Sequence, residues 1–263
     1  MKVIREGVDL EAFLRSLRAR KERVLLLDYD GTLAPFRVKR SMAFPYEGVR
    51  DRISTILRLE RCRTVIISGR SIKDLPPLLG IHPLPEIWGC HGWERLYPDG
   101  TYAGPTLGNE TEKAFNLIRS WAASKDIGSR CESKPASIAV HWRGIDESKA
   151  ESERISLETD VVPNLKDAGI AVRRFDGGLE FVATGNDKGT AVKTILRESG
   201  DDAAIVYMGD DLTDEKAFEA LSKKGLSLLV RPEFRKTAAD AWLIPPGELL
   251  DFLDYWIEGC ALT

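Results

Sequence analysis

The chain has 263 residues, with 38 Lys or Arg against 41 Asp or Glu and a formal net charge of −3. That near balance, without a basic stripe interleaved with aromatics, argues against a nucleic-acid binder. No apolar run approaches the ~20 residues needed to span a bilayer, so no membrane partner is expected.

The opening segment, MKVIREGVDLEAFLRSLRARK, is amphipathic and charged throughout, which is not the pattern of a secretion signal. Its basic run, Arg15, Arg18, Arg20, Lys21 and Arg23, reads as a solvated helix face. Val24 to Leu27 follows, a short apolar run that does not alternate and ends in Asp28-Tyr29-Asp30-Gly31-Thr32. This is how a strand buried on both faces of a parallel sheet reads. Thr64 to Ile67 repeats the pattern and ends in Ser68-Gly69-Arg70.

The region 105–182 reads differently. A helix from Glu110 to Ser124 leads to strands around Cys131 and from Ser137 to Trp142. A second helix, roughly Glu147 to Ala168, precedes two strands, Ile170 to Phe175 and Leu179 to Ala183, joined by the turn Asp176-Gly177-Gly178. The order αββαββ predicts a small antiparallel sheet with two helices, an α+β insertion flanked by 1–104 and 183–263.

Beyond it, Ala204 to Met208 is a third buried run, ending in Gly209-Asp210-Asp211, and Leu226 to Val230 a weaker fourth. Helical patterns at 47–60, 188–199 and 214–223 separate the runs. Strands alternating with helices predict an α/β fold with a doubly wound, Rossmann-like parallel sheet. Such sheets bind ligands beyond the carboxyl ends of their strands, so the three polar clusters should converge on one crevice.

Those clusters carry chemistry. Asp28 and Asp30, two apart at a strand end, point to roughly the same side. A carboxylate can attack phosphorus to give an aspartyl-phosphate, and a second carboxyl nearby can protonate the leaving oxygen. Like charges this close repel, which favours protonation of one or a hard cation between them; magnesium takes oxygen ligands of this kind. Asp210, with Asp28, would form a two-sided clamp, and Asp211, Asp214 and Glu215 add negative charge at the start of the next helix. Ser68 offers a hydroxyl to a phosphate oxygen and Gly69 allows close backbone approach. Lys188 stands where a helix begins, so its ammonium and the helix N-terminus attract the same anion.

The segments DYDGTLAPF, VIISGR, DKGTA and GDDLTDEKAF resemble the four motifs of the haloacid dehalogenase-like phosphatases, and the resemblance spans nearly the whole chain. DYDGTLAPF, GDDLTDEKAF, GCHGWE (Gly89 to Glu94) and ESKPASIAVHWR (Glu132 to Arg143) look more specifically like the trehalose-6-phosphate phosphatases. The resemblance implies that Asp28 is the nucleophile and Asp30 the general acid/base. It implies Mg2+ held by Asp28, the Asp30 main-chain carbonyl and Asp210, with Asp211 and Asp214 supporting the metal shell. Ser68 and Lys188 would hold the phosphate, with Thr32, Gly69 and Arg70 beside it. The insertion corresponds to a cap that closes over a sugar phosphate, trehalose 6-phosphate, and Glu132, Lys134 and Glu180 match positions that contact the distal sugar. Relatives usually carry Arg-Pro shortly after the glutamate matching Glu180; here Phe181 to Gly185 read FVATG, which alters the approach to the hinge.

Rival readings are a phosphatase of another glycosyl phosphate, a phosphosugar mutase, and a silent sugar-phosphate sensor. His91 has a substrate-contacting and a structural reading; His141, Trp88, Trp93 and Trp142 read as structural. Arg70 either reaches substrate or pairs with the acidic cluster. Cys62, Cys90, Cys131 and Cys260 form no CxxC pair and fit neither a zinc site nor a disulfide framework, so reduced thiols in a cytoplasmic protein are expected; no exposed apolar stripe is obvious, so a monomer is expected.

Overall fold

The structure, a computed structural model, describes residues 1–59, 62–175 and 177–261. The chain divides into two compact units, Met1–Ala103 with Asp187–Thr263, and Gly104–Asn186.

The first unit opens with β1 (Lys2–Val3) and α1 (Leu10–Ser16), whose N-cap Asp9 accepts from the Ala12 N–H at 2.8 Å. After a 3-10 turn at Leu17–Ala19, β2 (Arg23–Leu27) is buried along its whole length. The basic run is therefore not one solvated face: helical structure ends before Arg23, and strand pairing carries that side chain inside. Then come α2 (Val49–Ile56), β3 (Cys62–Ile67), α3 (Leu75–Leu79), β4 (Glu86–Gly89), β5 (Glu94–Leu96) and β6 (Tyr102–Ala103).

The second unit contains α4 (Asn109–Ser124), β7 (Cys131–Lys134), β8 (Ser137–His141), α5 (Glu147–Asp160), β9 (Ile170–Phe175) and β10 (Gly178–Ala183), in the order αββαββ. α5 ends earlier than the sequence pattern suggests, and a separate 3-10 turn, Val162–Leu165, carries Pro163, which cannot donate within a continuing helix. Of the expected Asp176-Gly177-Gly178 turn, Asp176 lies outside the described residues. The four strands pair antiparallel in the order β7-β8-β10-β9. Alternate side chains divide between the faces: Ile138, Val140, Leu179 and Phe181 are buried, while Glu132, Lys134, His141 and Glu180 share the opposite, more open face.

The first unit resumes with α6 (Lys188–Glu198), β11 (Ala204–Gly209), α7 (Glu215–Leu221), β12 (Leu226–Val230), β13 (Ala241–Leu243) and α8 (Gly247–Ala261). Its sheet runs β1-β13-β12-β11-β2-β3-β4-β5-β6 among the described residues. Pairing is parallel from β13 to β4 and antiparallel at both margins. Both faces are covered. Leu25, Leu27, Ile66, Val206 and Met208 belong to one apolar layer with Val49, Ile53, Phe252 and Trp256. Val24, Leu26, Val65, Ile67 and Tyr207 belong to another with Val192, Ile195 and Phe218. Two covered faces leave no solvated position along a central strand, which is why these runs do not alternate. β2 lies between β11 and β3, so Asp28, Ser68 and Asp210 emerge side by side at the carboxyl end of the sheet.

Candidate active site

Three carboxylates and one ammonium form the centre. Asp28 follows β2, its N–H donating to the Met208 carbonyl at 2.9 Å, which ties the β2 end to β11. Lys188, the first residue of α6, is capped in place by Asp187 and is buried. Its Nζ donates to Asp28 Oδ1 at 2.6 Å and to Asp214 Oδ1 at 2.7 Å. Asp28, Asp210 and Asp214 are all buried, and each offers an oxygen within 4.8 Å of the others. Burial works against the Lys188 ammonium, but Asp214 and Asp28 outweigh it and raise its pKa, so the cation is retained.

The carboxylates pay for their position. Burial first, with Asp214 adding repulsion and Lys188 opposing, raises Asp28 to about 7. Burial, then Asp28 and Asp214, raises Asp210 to about 9. Three carboxylates against one ammonium leave two negative charges uncompensated when all are ionised. The donor set is hard oxygen, so a divalent hard cation fits both the charge and the chemistry.

Asp214 has a different place from Asp28 and Asp210. Besides Lys188, its carboxylate accepts from the Tyr207 hydroxyl at 2.5 Å and from the Asp210 and Asp211 N–H groups at 3.1 and 2.9 Å. It thereby fixes the loop that carries Asp210. Asp211 is exposed and forms a reciprocal capping box with Asp214, so its side chain closes the start of a helical turn and lies outside the acidic cluster. Tyr207 sits inside an apolar run, where nothing in the sequence separated it from the core residues around it. Arg231 and Arg235 also escaped the sequence reading; their guanidinium groups donate to the Asp210 carbonyl at 3.3 and 3.2 Å.

Asp30 turns away from the carboxylate cluster. Arg70 Nε and Nη2 hold its two oxygens, each at 2.6 Å. Of the two readings of Arg70, the structure thus shows it paired with an acidic residue. Directly after Asp30 the chain bends at Gly31, with φ +86° and its N–H donating to the Ala34 carbonyl at 2.7 Å. A Cβ at Gly31 would lie 2.1 Å from Asp210 Oδ2, so only glycine admits the Asp210 carboxylate here. Thr32 is buried, its Oγ1 donating to Asp28 Oδ2 at 3.3 Å.

Ser68 is buried and accepts the Arg70 N–H on its Oγ at 3.1 Å. The Gly89 to Glu94 segment braces this turn. The Cys90 N–H donates to the Arg70 carbonyl at 2.8 Å and the His91 N–H to the Ser68 carbonyl at 2.9 Å. Both residues have positive φ, +49° and +57°, a conformation costly for side chains with a Cβ. The His91 ring lies over Gly69, where a Cβ would approach its Cε1 and Nε2 to 2.6 Å.

In the second unit, Glu132, Lys134 and Glu180 gather on the open sheet face. Glu132 and Glu180 flank Ala139 in register. Lys134 Nζ lies 3.6 Å from Glu132 and 3.5 Å from Glu180, whose Oε1 also accepts from Ser137 Oγ at 2.9 Å. His141 joins them, 3.5 Å from Glu132. Trp88 and Trp142 have structural partners, donating to Glu86 at 2.8 Å and to Glu153 at 3.0 Å. Phe181 and Ala183, in the segment that departs from the family pattern, are buried strand residues.

A parallel sheet with carboxylates and a serine on neighbouring strand ends and a lysine at the start of a helix beside them, plus an αββαββ insertion, defines a haloacid dehalogenase-like fold. The structure superposes on a haloacid dehalogenase-like hydrolase from Bacteroides thetaiotaomicron with TM-score 0.61 and 16% identity, covering 89% of this chain and 99% of that one. It superposes on the Aspergillus fumigatus trehalose-6-phosphate phosphatase with TM-score 0.68 and 23% identity over 95% of this chain and 98% of that one. The model of the trehalose-phosphatase family matches residues 26–241, and the chain belongs to that family. It is 32% identical over 229 residues to a bifunctional trehalose-6-phosphate synthase/phosphatase of Thermoproteus tenax, covering 86% of this chain and 31% of that protein. It is 28% identical over 262 residues to trehalose-phosphate phosphatase B of Arabidopsis thaliana, covering 90% of this chain and 67% of that protein. The chain thus spans about a third of the first relative and about two thirds of the second. No helix among the described residues is long and apolar enough to cross a membrane.

Proposed function

We propose that the chain is a magnesium-dependent phosphatase that hydrolyses trehalose 6-phosphate to trehalose and phosphate through an aspartyl-phosphate at Asp28. The observation that carries the reading is the buried set Asp28, Asp210, Asp214 and Lys188, in a member of the trehalose-phosphatase family. A sensor has no use for a nucleophile kept beside an ammonium in a desolvated crevice.

In the first half-reaction a carboxylate oxygen of Asp28 attacks phosphorus, the bond from phosphorus to the sugar oxygen breaks, and Asp30 gives that oxygen a proton. In the second, water attacks the phosphoryl group, Asp30 accepts its proton, and the bond between phosphorus and Asp28 breaks to release phosphate. Arg70 holds Asp30 by both oxygens, so Asp30 must exchange this partner for the leaving oxygen at each transfer. Lys188 orients Asp28 and, with the Ser68 hydroxyl and the Gly69 main chain, receives the phosphate oxygens. Thr32 braces Asp28 from the other side.

Asp28, the Asp30 carbonyl and Asp210 are the residues that would hold Mg2+, with Asp214 behind them. When bound, the ion would offset the two surplus negative charges and polarise the phosphoryl group. The unit of Met1–Ala103 with Asp187–Thr263 is the hydrolase core and Gly104–Asn186 the cap, bounds slightly wider for the cap than the 105–182 expected from the sequence. On the cap, Glu132, Lys134 and Glu180 are the sugar-contacting residues: a carboxylate accepts from adjacent hydroxyls and an ammonium donates to others.

A panel of sugar phosphates tests the reading. With Mg2+ present, phosphate release and free trehalose from trehalose 6-phosphate support it. Turnover only on another glycosyl phosphate overturns the substrate. Isomerisation of a sugar phosphate without free phosphate makes the chain a mutase, and tight binding without turnover makes it a sensor.

A further inference from the structure

Asp210 and Asp211 lie just past the last register pair of β11, Gly209 with Leu229, so their main chain lies outside the strand pairing. Side chains hold it from two sides. Asp214 takes both N–H groups, at 3.1 and 2.9 Å. Arg235, in the loop between β12 and β13, takes both carbonyls: its Nε donates to Asp210 at 3.2 Å and its Nη2 to Asp211 at 2.7 Å. The Asp211 carbonyl also accepts the Asp214 N–H at 3.0 Å, and Arg231 adds one bond to the Asp210 carbonyl at 3.3 Å.

Glu215, the first residue of α7, aims that guanidinium. Its Oε1 accepts from Arg235 Nη1 and, at 2.8 Å, from Thr237 Oγ1; its Oε2 accepts the Ala238 N–H at 2.7 Å. Arg235 Nη1 donates as well to the Lys236 carbonyl at 3.0 Å, so all three guanidinium nitrogens are committed. Both side chains are mostly buried, which limits screening of the pair. A planar fork that bridges two successive carbonyls fixes their relative orientation; a lysine, with one nitrogen on a flexible stem, cannot.

We propose that Arg235, aimed by Glu215, is a positioning residue for Mg2+: its fork fixes the Asp210 loop, so that the Asp210 carboxylate is held within reach of Asp28 before the ion arrives. This rests on the Mg2+-dependent reading of the site. Asp28, Asp210 and Asp214 repel one another when ionised, and without the ion that repulsion works to displace Asp210. Asp214 cannot resist it alone, because it is one of the repelling charges. Arg235 has the opposite sign and grips the carbonyls, which a carboxylate cannot hold. A site set in advance loses less freedom when the ion binds, so the fork is expressed as Mg2+ affinity.

Calorimetric titration of the chelator-treated full chain with Mg2+ alone tests this, with no substrate present. Arg235→Lys keeps the charge but cannot bridge two carbonyls, so its Kd for Mg2+ should rise at least about tenfold. Arg231→Lys, which gives up one long hydrogen bond, should stay within about threefold of wild type. Glu215→Ala should resemble Arg235→Lys, and the double variant should bind no more weakly than the weaker single one, because Glu215 acts through Arg235. In assays on trehalose 6-phosphate, the half-saturating Mg2+ concentration of Arg235→Lys should rise by the same factor, and excess Mg2+ should recover the lost rate. A folded Arg235→Lys with a lower Tm but wild-type Mg2+ affinity would make the fork merely structural and overturn the proposal, as would losses that multiply in the double variant. A wild type that binds no Mg2+ overturns the metal-dependent reading and the proposal with it, so the wild-type titration tells the two failures apart. Glu215→Ala decides the matter if Arg235→Lys fails to fold.

Discussion

The two polar clusters of this molecule are built in opposite ways. In the first unit Lys188 is buried and bonded to Asp28 and Asp214 at 2.6 and 2.7 Å. In the second, Lys134 is partly open to water and stands 3.5 to 3.6 Å from Glu180 and Glu132. The first arrangement is desolvated and over-determined: each group is fixed by others, and removal of any leaves charge stranded. The second is solvated and loose, so its members can trade one another for sugar hydroxyls at little cost. Under the proposed function the difference separates two jobs: the buried set would fix the reacting atoms, while the open set is suited to choosing the molecule that carries the phosphate.

The largest expected effect breaks the buried set. Lys188→Ala should cost about 3–5 kcal/mol of stability, because Asp28 and Asp214 lose their shared cation, and should lower kcat by about 10³. Denaturant titration and steady-state kinetics check both. On the open set, Glu180→Ala should raise KM for trehalose 6-phosphate by about tenfold and leave kcat nearly unchanged, since it removes binding rather than chemistry. A KM unchanged by this substitution would break the assignment of jobs.

A third test titrates the buried charges. Asp28 at about 7 and Asp210 at about 9 both stand above the carboxylate value of 3.8. Between those limits the chelator-treated native state holds protons that the unfolded chain has lost, so its stability should fall as pH rises towards about 9. A divalent cation replaces those protons, so added Mg2+ should raise Tm more at about pH 9 than at about pH 5. A magnesium increment that shrank with rising pH would contradict this. The smallest effect is that of Tyr207→Phe, which removes one of the four donors to Asp214. A loss of about 1 kcal/mol is expected, with a severalfold fall in kcat from a loosened Asp210 loop.

The same contrast explains what could be read from the sequence. β2, β3 and β11 were legible because strands covered on both faces appear as unbroken apolar runs, and Asp28, Ser68 and Asp210 mark where those runs end. The αββαββ order of the insertion was legible from its alternation of helical and extended patterns. β1, β5, β6 and β13 were not, being only two or three residues long at the margins of the sheet. Arg23 was misjudged because a basic residue after other basic residues looks solvated, and only strand pairing shows it buried. The pairing of Asp30 with Arg70 joins two loops that no periodicity connects. Asp214 and Asp211 look alike in GDDLTDE, yet one is buried with four donors and the other exposed as a cap; local sequence does not carry that distinction.

The most direct test compares Asp28→Asn with the wild type for phosphate release from trehalose 6-phosphate at equal Mg2+. The amide keeps the shape of the side chain but is not a nucleophile, so a folded protein with activity lower by at least about 10³ is expected. A folded Asp28→Asn variant within about tenfold of wild type would contradict it, because the phosphoryl group would then have no need of Asp28.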